Sequence, residues 1–308
     1  DEFKANFGIS WPDALEQGLV YNAVDGCKFF DVDGDQMDSM WATSKKAKQL
    51  VKFGGGFYAG KVTKPEPKPT FVINGFYMSM REKYTKPSAK IHYYVVEWDG
   101  NKVSWEDFRG KVLGATDPET AAAGSVRRLI LEKWEELGLA SKPDVGDNGV
   151  HASASPFEAL AERMNWLGAS LEEDSFGKAM LANIPKETIM AWTKDPQIEL
   201  DGGKKSCFDS LEDTNSQDCL NIAQKIAGVE ETKMANNTNT AFVFIKPHAA
   251  VSAKAAPLVA EAFKAQGITI LSEGDIDGPT IESKLYIDNH YYAIANKASL
   301  TKPKDLNP

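Results

Sequence analysis

The stretch Asp147-Asn148-Gly149-Val150-His151-Ala152-Ser153-Ala154-Ser155-Pro156-Phe157-Glu158 sets a histidine just ahead of a strongly signalled helix start, and a second glutamate, Glu162, follows one turn later. Ser155 is a favourable N-cap and Pro156 suits the first helical position. Glu158 lies three residues after the cap, so Ser155 and Glu158 are expected to satisfy free backbone N–H groups reciprocally as a capping box. Phe157, Leu160, Ala161, Met164 and Leu167 follow helical spacing and would face a core, leaving Glu158 and Glu162 on another face. His151 is left on the loop before the cap. A helix start offers unpaired N–H donors and partial positive charge, so a histidine beside it is well placed to meet a phosphate.

The elements that must position this stretch are legible on both sides of it. Residues 49–62 read as a glycine-interrupted strand leading to a turn. Gly55-Gly56-Phe57-Tyr58-Ala59-Gly60-Lys61 imitates the opening of a phosphate-binding loop, but Val62 stands where that loop needs a hydroxyl and the proline-rich 64–69 cannot start its helix. Residues 70–77 and 91–98 are rich in β-branched and aromatic residues and predict strands of one sheet. Ser125 to Leu137 predicts a helix stopped by Gly138. Further on, Ala241-Phe242-Val243-Phe244-Ile245 predicts a buried strand, 257–266 an amphipathic helix stopped by Gly267, and 268–271 another strand, together a β-α-β unit. Thr280 to Ala298 predicts a helix around His290-Tyr291. Residues 172–239 lose clear periodicity and read as a connector with some helix of its own.

With 308 residues, 42% hydrophobic and 26% charged, the chain is long enough for one enlarged domain or two average ones, and no apolar run reaches the length of a membrane span. No membrane insertion is expected, and a soluble compartment, cytoplasmic or organellar, follows. A net charge of −9 argues against a general nucleic-acid binder, because nonspecific affinity comes from Lys and Arg neutralising phosphates. Small nucleotides need only local positive charge. Cys27, Cys207 and Cys219 are too few and scattered for a disulfide framework or a zinc site, and free thiols are expected. The acidic run Asp31–Asp38 lacks the Gly and Glu of a calcium loop and reads as a solvated turn, while Lys45, Lys46 and Lys48 read as the exposed side of a helix.

The histidine stretch resembles the active-site segment of the nucleoside diphosphate kinases, in which Asn-x-x-His-x-Ser precedes a helix bearing a glutamate eleven positions after the histidine. Asn148, His151, Ser153 and Glu162 stand at those places. Phe244-Ile245-Lys246-Pro247 resembles the family's first strand with its active-site lysine, and His290-Tyr291 resembles its His-Tyr pair. Leu113-Gly114-Ala115-Thr116-Asp117-Pro118 and Gly124-Ser125-Val126-Arg127 resemble the threonine and arginine segments that hold the phosphates. The two halves occur in reversed order, the back half within 1–171 and the front half in 240–308, with 172–239 between them.

The resemblance implies an α/β ferredoxin-like sandwich, with an antiparallel sheet and helices on one face, circularly permuted or cut from a tandem-repeat precursor, and carrying large insertions. It implies that strand 241–245 joins the sheet built by 70–115. Closure within one chain then brings Asp1 and Pro308 near each other; homo-oligomers or association of repeat halves are the other route to a complete domain. It further implies that His151 takes the terminal phosphate of a nucleoside triphosphate and passes it to a nucleoside diphosphate. Ser153 and Glu162 orient the ring, while Lys246, Tyr291, Thr116, Arg127 and Asn148 hold the nucleotide with Mg2+ on its phosphates. The sequence departs from the family where Gly-Ser-Asp becomes Ala152-Ser153-Ala154. A second phosphate-binding arginine falls at Gly110, with Arg109 as the adjacent substitute, and no base-stacking phenylalanine follows Tyr291. A non-catalytic domain of this fold, used for binding or structure, is the alternative those departures suggest.

Overall fold

A computed structural model describes residues 2–54, 56–63 and 69–308. The chain forms two compact units, Asp1–Pro87 with Pro279–Pro308, and Ser88–Gly278. These limits do not coincide with the expected ones at 171/172 and 239/240. The last segment closes on the N-terminal residues, and the expected connector packs with the helix that precedes it.

The first unit holds β1 (Val20–Asn22), β2 (Leu50–Gly54), β3 (Phe57–Val62) and β4 (Thr70–Ile73) in the order β1-β4-β3-β2. Its strands β2 and β3 pair antiparallel, so the glycine-interrupted strand is a hairpin. Gly56 has φ +64° at its turn, the left-handed region in which glycine carries no Cβ penalty. Strand β4 stops at Ile73 because Asn74 turns the chain with φ +50°. The Asn74 side chain then replaces sheet pairing: Oδ1 accepts from the Tyr58 N–H at 2.9 Å and Nδ2 donates to Gly56 O at 2.7 Å. The strand expected over 70–77 is thereby cut short, a helix Tyr77–Thr85 follows, and this segment belongs to a different sheet from 241–245. The acidic run ends as a helix start, with Asp33 and Gln36 forming a reciprocal capping box on Gly34–Lys46. Lys45 and Lys46 lie exposed in its last turn. Residues 64–68 of the proline-rich stretch lie outside the described residues. The long helix expected over 280–298 is broken into Gly278–Ser283, Tyr286–His290 and Tyr292–Ala295, with Leu285 at φ +55° marking one break. Trp11 Nε1 donates to Leu306 O at 3.1 Å, which draws the two ends of the chain together within this unit.

The second unit holds β5 (Lys90–Asp99), β6 (Val150–Ala152), the hairpin β7 (Gln197–Leu200) and β8 (Gly203–Ser206), then β9 (Thr238–Ile245) and β10 (Thr269–Asp277). Its main sheet has the order β10-β5-β9-β6, every neighbouring pair antiparallel. β5 and β6 therefore run the same way on either side of β9, joined through the helix Val126–Glu132. β9 and β10 likewise run the same way on either side of β5, joined through the helix Ala255–Ala265. Two β-α-β crossovers are thus interleaved in one sheet.

Strand β9 explains its unbroken apolar run by being buried on both faces. Ala241, Val243 and Ile245 join a core with Val126 and Ile130 of one crossover helix and Val259 and Phe263 of the other. Phe242 and Phe244 point the other way and meet Trp166 of the helix Pro156–Leu167, with ring centroids 6.2 and 5.5 Å apart. The two crossover helices occupy one face, as expected, but Pro156–Leu167 covers the opposite face. The helix predicted over 125–137 ends at Glu132 and continues as turns to Gly138, which has φ +67°.

The connector is a folded layer. Helices Ser175–Leu181, Lys186–Trp192, Cys207–Leu211 and Ser216–Ala227 bury Phe176, Met180, Ile189, Leu211 and Leu220 against Phe157 and Leu160 of Pro156–Leu167. Its periodicity was faint because each helix is short and shares one core with the others. Cys27, Cys207 and Cys219 are buried free thiols. Among the described residues no helix is long and apolar enough to cross a membrane.

Candidate functional site

The sequence around residue 151 folds as an edge strand running straight into a capped helix. Val150 enters the core, β6 pairs with β9 through Val150–Ile245, His151–Phe244 and Ala152–Val243, and the Ser155 hydroxyl then accepts from the Glu158 N–H at 3.1 Å. Only that half of the expected capping box is a cap bond on Ser155. The expected loop histidine is consequently a strand residue, and strand geometry fixes its direction. His151 stacks on Phe244, centroids 4.7 Å apart at 27°. Ala152 points to the other side of the strand.

Glu162 does not face solvent from a polar helix side as the sequence pattern implied; it is 5% exposed and turned toward β6. Its Oε1 lies 2.6 Å from His151 Nε2, and its Oε2 accepts from the Ser153 hydroxyl at 2.5 Å. The Ser153 oxygen in turn accepts from the Phe242 N–H at 3.1 Å, which ties the pair to the central strand. A carboxylate only accepts, so the contact places the imidazole proton on Nε2 and makes Nδ1 the unprotonated, nucleophilic nitrogen. Burial first, then the charges of Lys246, Arg127 and Arg109, hold the His151 pKa well below the usual histidine value, so the ring is neutral at neutral pH. Burial, and after it the Glu162 charge, push the Glu158 carboxyl well above the usual range.

The cations come from three separate segments. Arg127, at the start of its helix, donates from Nη1 to Gly114 O at 2.7 Å and from Nη2 to Val150 O at 3.2 Å, bracing the threonine segment against β6. Burial and then Arg109 lower its pKa to about 10. Lys246 follows β9; its N–H donates to Gly149 O at 2.8 Å and its Nζ to Gly146 O at 3.1 Å. Asn148 donates to Thr116 O at 3.0 Å. Gly149 has φ +93°, and a Cβ there would stand 2.7 Å from Ile130 Cδ1, so the Asn-Gly step lets this loop lie close to the helix. Among the described residues, Arg127 Nε and Asn148 Oδ1 are buried polar atoms without a hydrogen-bond partner.

Beside β6 opens a cleft of about 300 Å³ lined by Arg127, Thr116, Gly114, Ala115 and Ala152, and across from them by Arg109, Glu106, Glu212 and Asp213. Arg109, expected to substitute for a phosphate-binding arginine, donates from Nη1 to Glu212 Oε1 at 2.8 Å and to Asp213 Oδ1 at 2.6 Å. Its guanidinium is neutralised by the connector. Glu212 and Asp213 escaped sequence reading because nothing local marks them; they reach the cleft through the packing of the connector layer. Glu158 was visible as a cap residue and its second environment was not. Tyr291 belongs to the other unit, where it packs partly buried against the core of Ala23, Met37, Trp41 and Tyr77. It is not among the residues that build the site within Ser88–Gly278.

No family model, no curated protein and no solved structure matches the chain.

Proposed function

We propose that the Ser88–Gly278 unit transfers phosphoryl groups through a phosphohistidine at His151, from a nucleoside triphosphate to a nucleoside diphosphate, in the manner of the nucleoside diphosphate kinases. The observation that carries this reading is the His151–Glu162–Ser153 array, which fixes the Nε2 proton and leaves Nδ1 as a neutral nucleophile within the field of Lys246, Arg127 and Arg109. A neutral nucleophile surrounded by cations suits attack on an anionic phosphate.

In the first half-reaction the Nδ1 lone pair forms a bond to the terminal phosphorus as the bond from that phosphorus to the bridging oxygen breaks, and the nucleoside diphosphate leaves with the electron pair. Glu162 keeps the Nε2 proton and balances the positive charge that builds on the ring. The second half-reaction runs the same step backwards onto another diphosphate. Lys246 and Arg127 offset the charge spread over the transferred group, where most of the catalysis of phosphoryl transfer resides. Magnesium, bound with the phosphates, would supply further charge neutralisation, and the carboxylates lining the cleft fit a hard cation. The two orphaned buried atoms, an Arg127 donor and an Asn148 acceptor, fit a polar ligand carrying both acceptors and hydroxyl donors.

The interleaved sheet supports the same reading. The order β10-β5-β9-β6 with two β-α-β crossovers is the split arrangement of a ferredoxin-like sandwich. The chain enters it at β5 and reaches the Lys246 half last, and the family resemblance would make that a permuted order. A binding or structural domain of this fold is the second reading, favoured by the salt bridges that occupy Arg109. Incubation with γ-labelled ATP and magnesium decides between them. An acid-labile, base-stable label that is lost in His151→Ala is the expected result; an unlabelled wild-type chain would favour the binding domain.

A further inference from the structure

The acidic side of the cleft is a fixed wall. Asp213 donates its backbone N–H to Ala154 O at 2.9 Å, next to Ser153 in the chain. Two residues on, Asn215 Oδ1 accepts from the Trp105 N–H at 2.9 Å, while Trp105 Nε1 donates to Ser153 O at 3.1 Å. The turn carrying Glu212 and Asp213 is thereby held against both the histidine strand and the segment that bears Arg109. Its two carboxylates cancel the Arg109 charge, and with Glu106 they leave the lining with more acidic than basic side chains. A bare polyphosphate meets that wall as a multiply charged anion, whereas its magnesium complex brings two positive charges with it.

We propose that Glu212 and Asp213 determine the charge form of ligand the cleft accepts: they exclude a metal-free polyphosphate chain and admit its magnesium complex. The inference rests on the reading of this cleft as a phosphate site and goes beyond it by assigning a selective role to residues of the connector. The energetics favour a measurable effect. Like charges a few ångström apart at a protein surface repel by an amount that outweighs thermal energy, and two such carboxylates act together here. Neutralising them also returns the Arg109 charge to the cleft, because amide oxygens at 212 and 213 can still accept from its Nη1 but no longer cancel it.

The test uses inorganic tripolyphosphate as the probe, so that binding is read without group transfer. Calorimetric titrations compare the full chain with the double variant Glu212→Gln, Asp213→Asn, once with a chelator and once with excess magnesium, at low ionic strength. Asn is compatible with the left-handed φ of +58° at Asp213, and Gln keeps the shape of Glu212, so the turn is retained. The expected result is a gain of roughly tenfold or more in affinity for the metal-free probe. The affinity for the magnesium complex should change far less. In the variant background, Arg109→Met should take most of that gain away. An unchanged metal-free affinity, or an equal gain for both forms, overturns the proposal. A chain that binds tripolyphosphate selectively but never labels on His151 removes the transferase reading and leaves the charge selection standing. A chain that binds neither form, with or without the substitutions, overturns the cleft reading and the charge selection together.

Discussion

Two buried polar networks, one in each unit, are built to opposite ends. In the Asp1–Pro87 and Pro279–Pro308 unit, the Asp288 carboxylate, 0% exposed, receives Arg81 Nε at 3.0 Å, the Tyr77 hydroxyl at 3.2 Å and the Ser299 hydroxyl at 2.6 Å. Burial works against the Arg81 charge, but Asp288 outweighs it and leaves the guanidinium held more firmly than usual. Burial and then Asp288 push the Tyr77 phenol far up, so it stays a neutral donor. The Asp288 carboxylate faces the Arg81 guanidinium, whose Nη1 also reaches Glu282 Oε1 at 3.5 Å, and both hydroxyls donate into the same carboxylate. In the Ser88–Gly278 unit, Glu162 also receives a hydroxyl and a ring nitrogen, but the cations that act on His151 come from separate segments, and among the described residues Arg127 Nε and Asn148 Oδ1 have no hydrogen-bond partner. A network whose groups pair with one another holds a fold together. A network with orphaned polar atoms beside a cleft is organised for something that arrives.

The sharpest way to break this contrast is to open the closed network. Arg81→Met removes the guanidinium that, among the described residues, pairs with Asp288 and leaves a carboxylate buried without that charge partner. Stranding one member of a buried pair costs about 3–5 kcal/mol. Urea unfolding should show a loss of that size, and a loss below about 1 kcal/mol would mean that the pair holds little of this unit together. The corresponding change in the other network, Glu162→Gln, should behave differently. Gln keeps the shape and an acceptor for His151 but removes the charge that balances the ring during attack. The expected effect is a fall on the order of 10²-fold in the rate of His151 labelling with a nearly unchanged unfolding midpoint. The wild-type rate should also hold its plateau as pH drops through 6.5, because a ring whose pKa is held below that value stays neutral and nucleophilic there. A rate that halves near pH 6.5 would show that burial and the cations do not control this histidine.

The two networks also differ in how much of them can be read from sequence. His151, Ser153 and Glu162 lie within twelve residues of one another; local patterning locates the helix through its cap at Ser155 and proline at the first position but puts His151 on a loop and Glu162 on a polar face, and the family resemblance alone groups the three. Lys246 is singled out by the resemblance of Phe244-Ile245-Lys246-Pro247 to the family's first strand, and a buried strand does end there. The Arg81–Asp288 pair joins residues 207 positions apart, and no local signal links them. The same limit hid Glu212 and Asp213, which act on Arg109 from across the connector. Sheet membership failed for a related reason: residues 70–77 and 91–98 both carry strand-forming side chains, but Asn74 diverts the first into a helix and only the second reaches β9. Propensity names a strand; long-range pairing decides its neighbours. The faint pattern of 172–239 is the remaining case, since short helices sharing one core give each helix too few turns to show a period.

The smallest expected difference lies in the caps that start a helix in each unit. Asp33 accepts from the Gln36 N–H at 2.8 Å and Gln36 Oε1 accepts from the Asp33 N–H at 3.0 Å, a complete box that satisfies two donors. Ser155 accepts only from Glu158 N–H, and the Glu158 carboxyl is engaged elsewhere, by a backbone hydrogen bond at Ala154 and by its repulsion with Glu162. Asp33→Ala removes the Asp33 side-chain half of its box, leaves the backbone N–H of residue 33 on Gln36 Oε1, and adds the loss of a negative charge at the positive end of the helix, so about 1–2 kcal/mol is expected. Ser155→Ala loses one neutral bond, and about 0.5–1 kcal/mol is expected. The two substitutions, followed by urea unfolding in the full chain, should rank in that order. A larger cost at Ser155 would mean that the cap anchors the whole turn from β6 into the Glu162 helix. His151 labelling separates those cases. A local cap leaves the rate of Ser155→Ala within a few-fold of wild type, because Glu162 is held by Ser153 and His151 from the strand side. An anchoring cap lets Glu162 drift and brings the rate down toward that of Glu162→Gln.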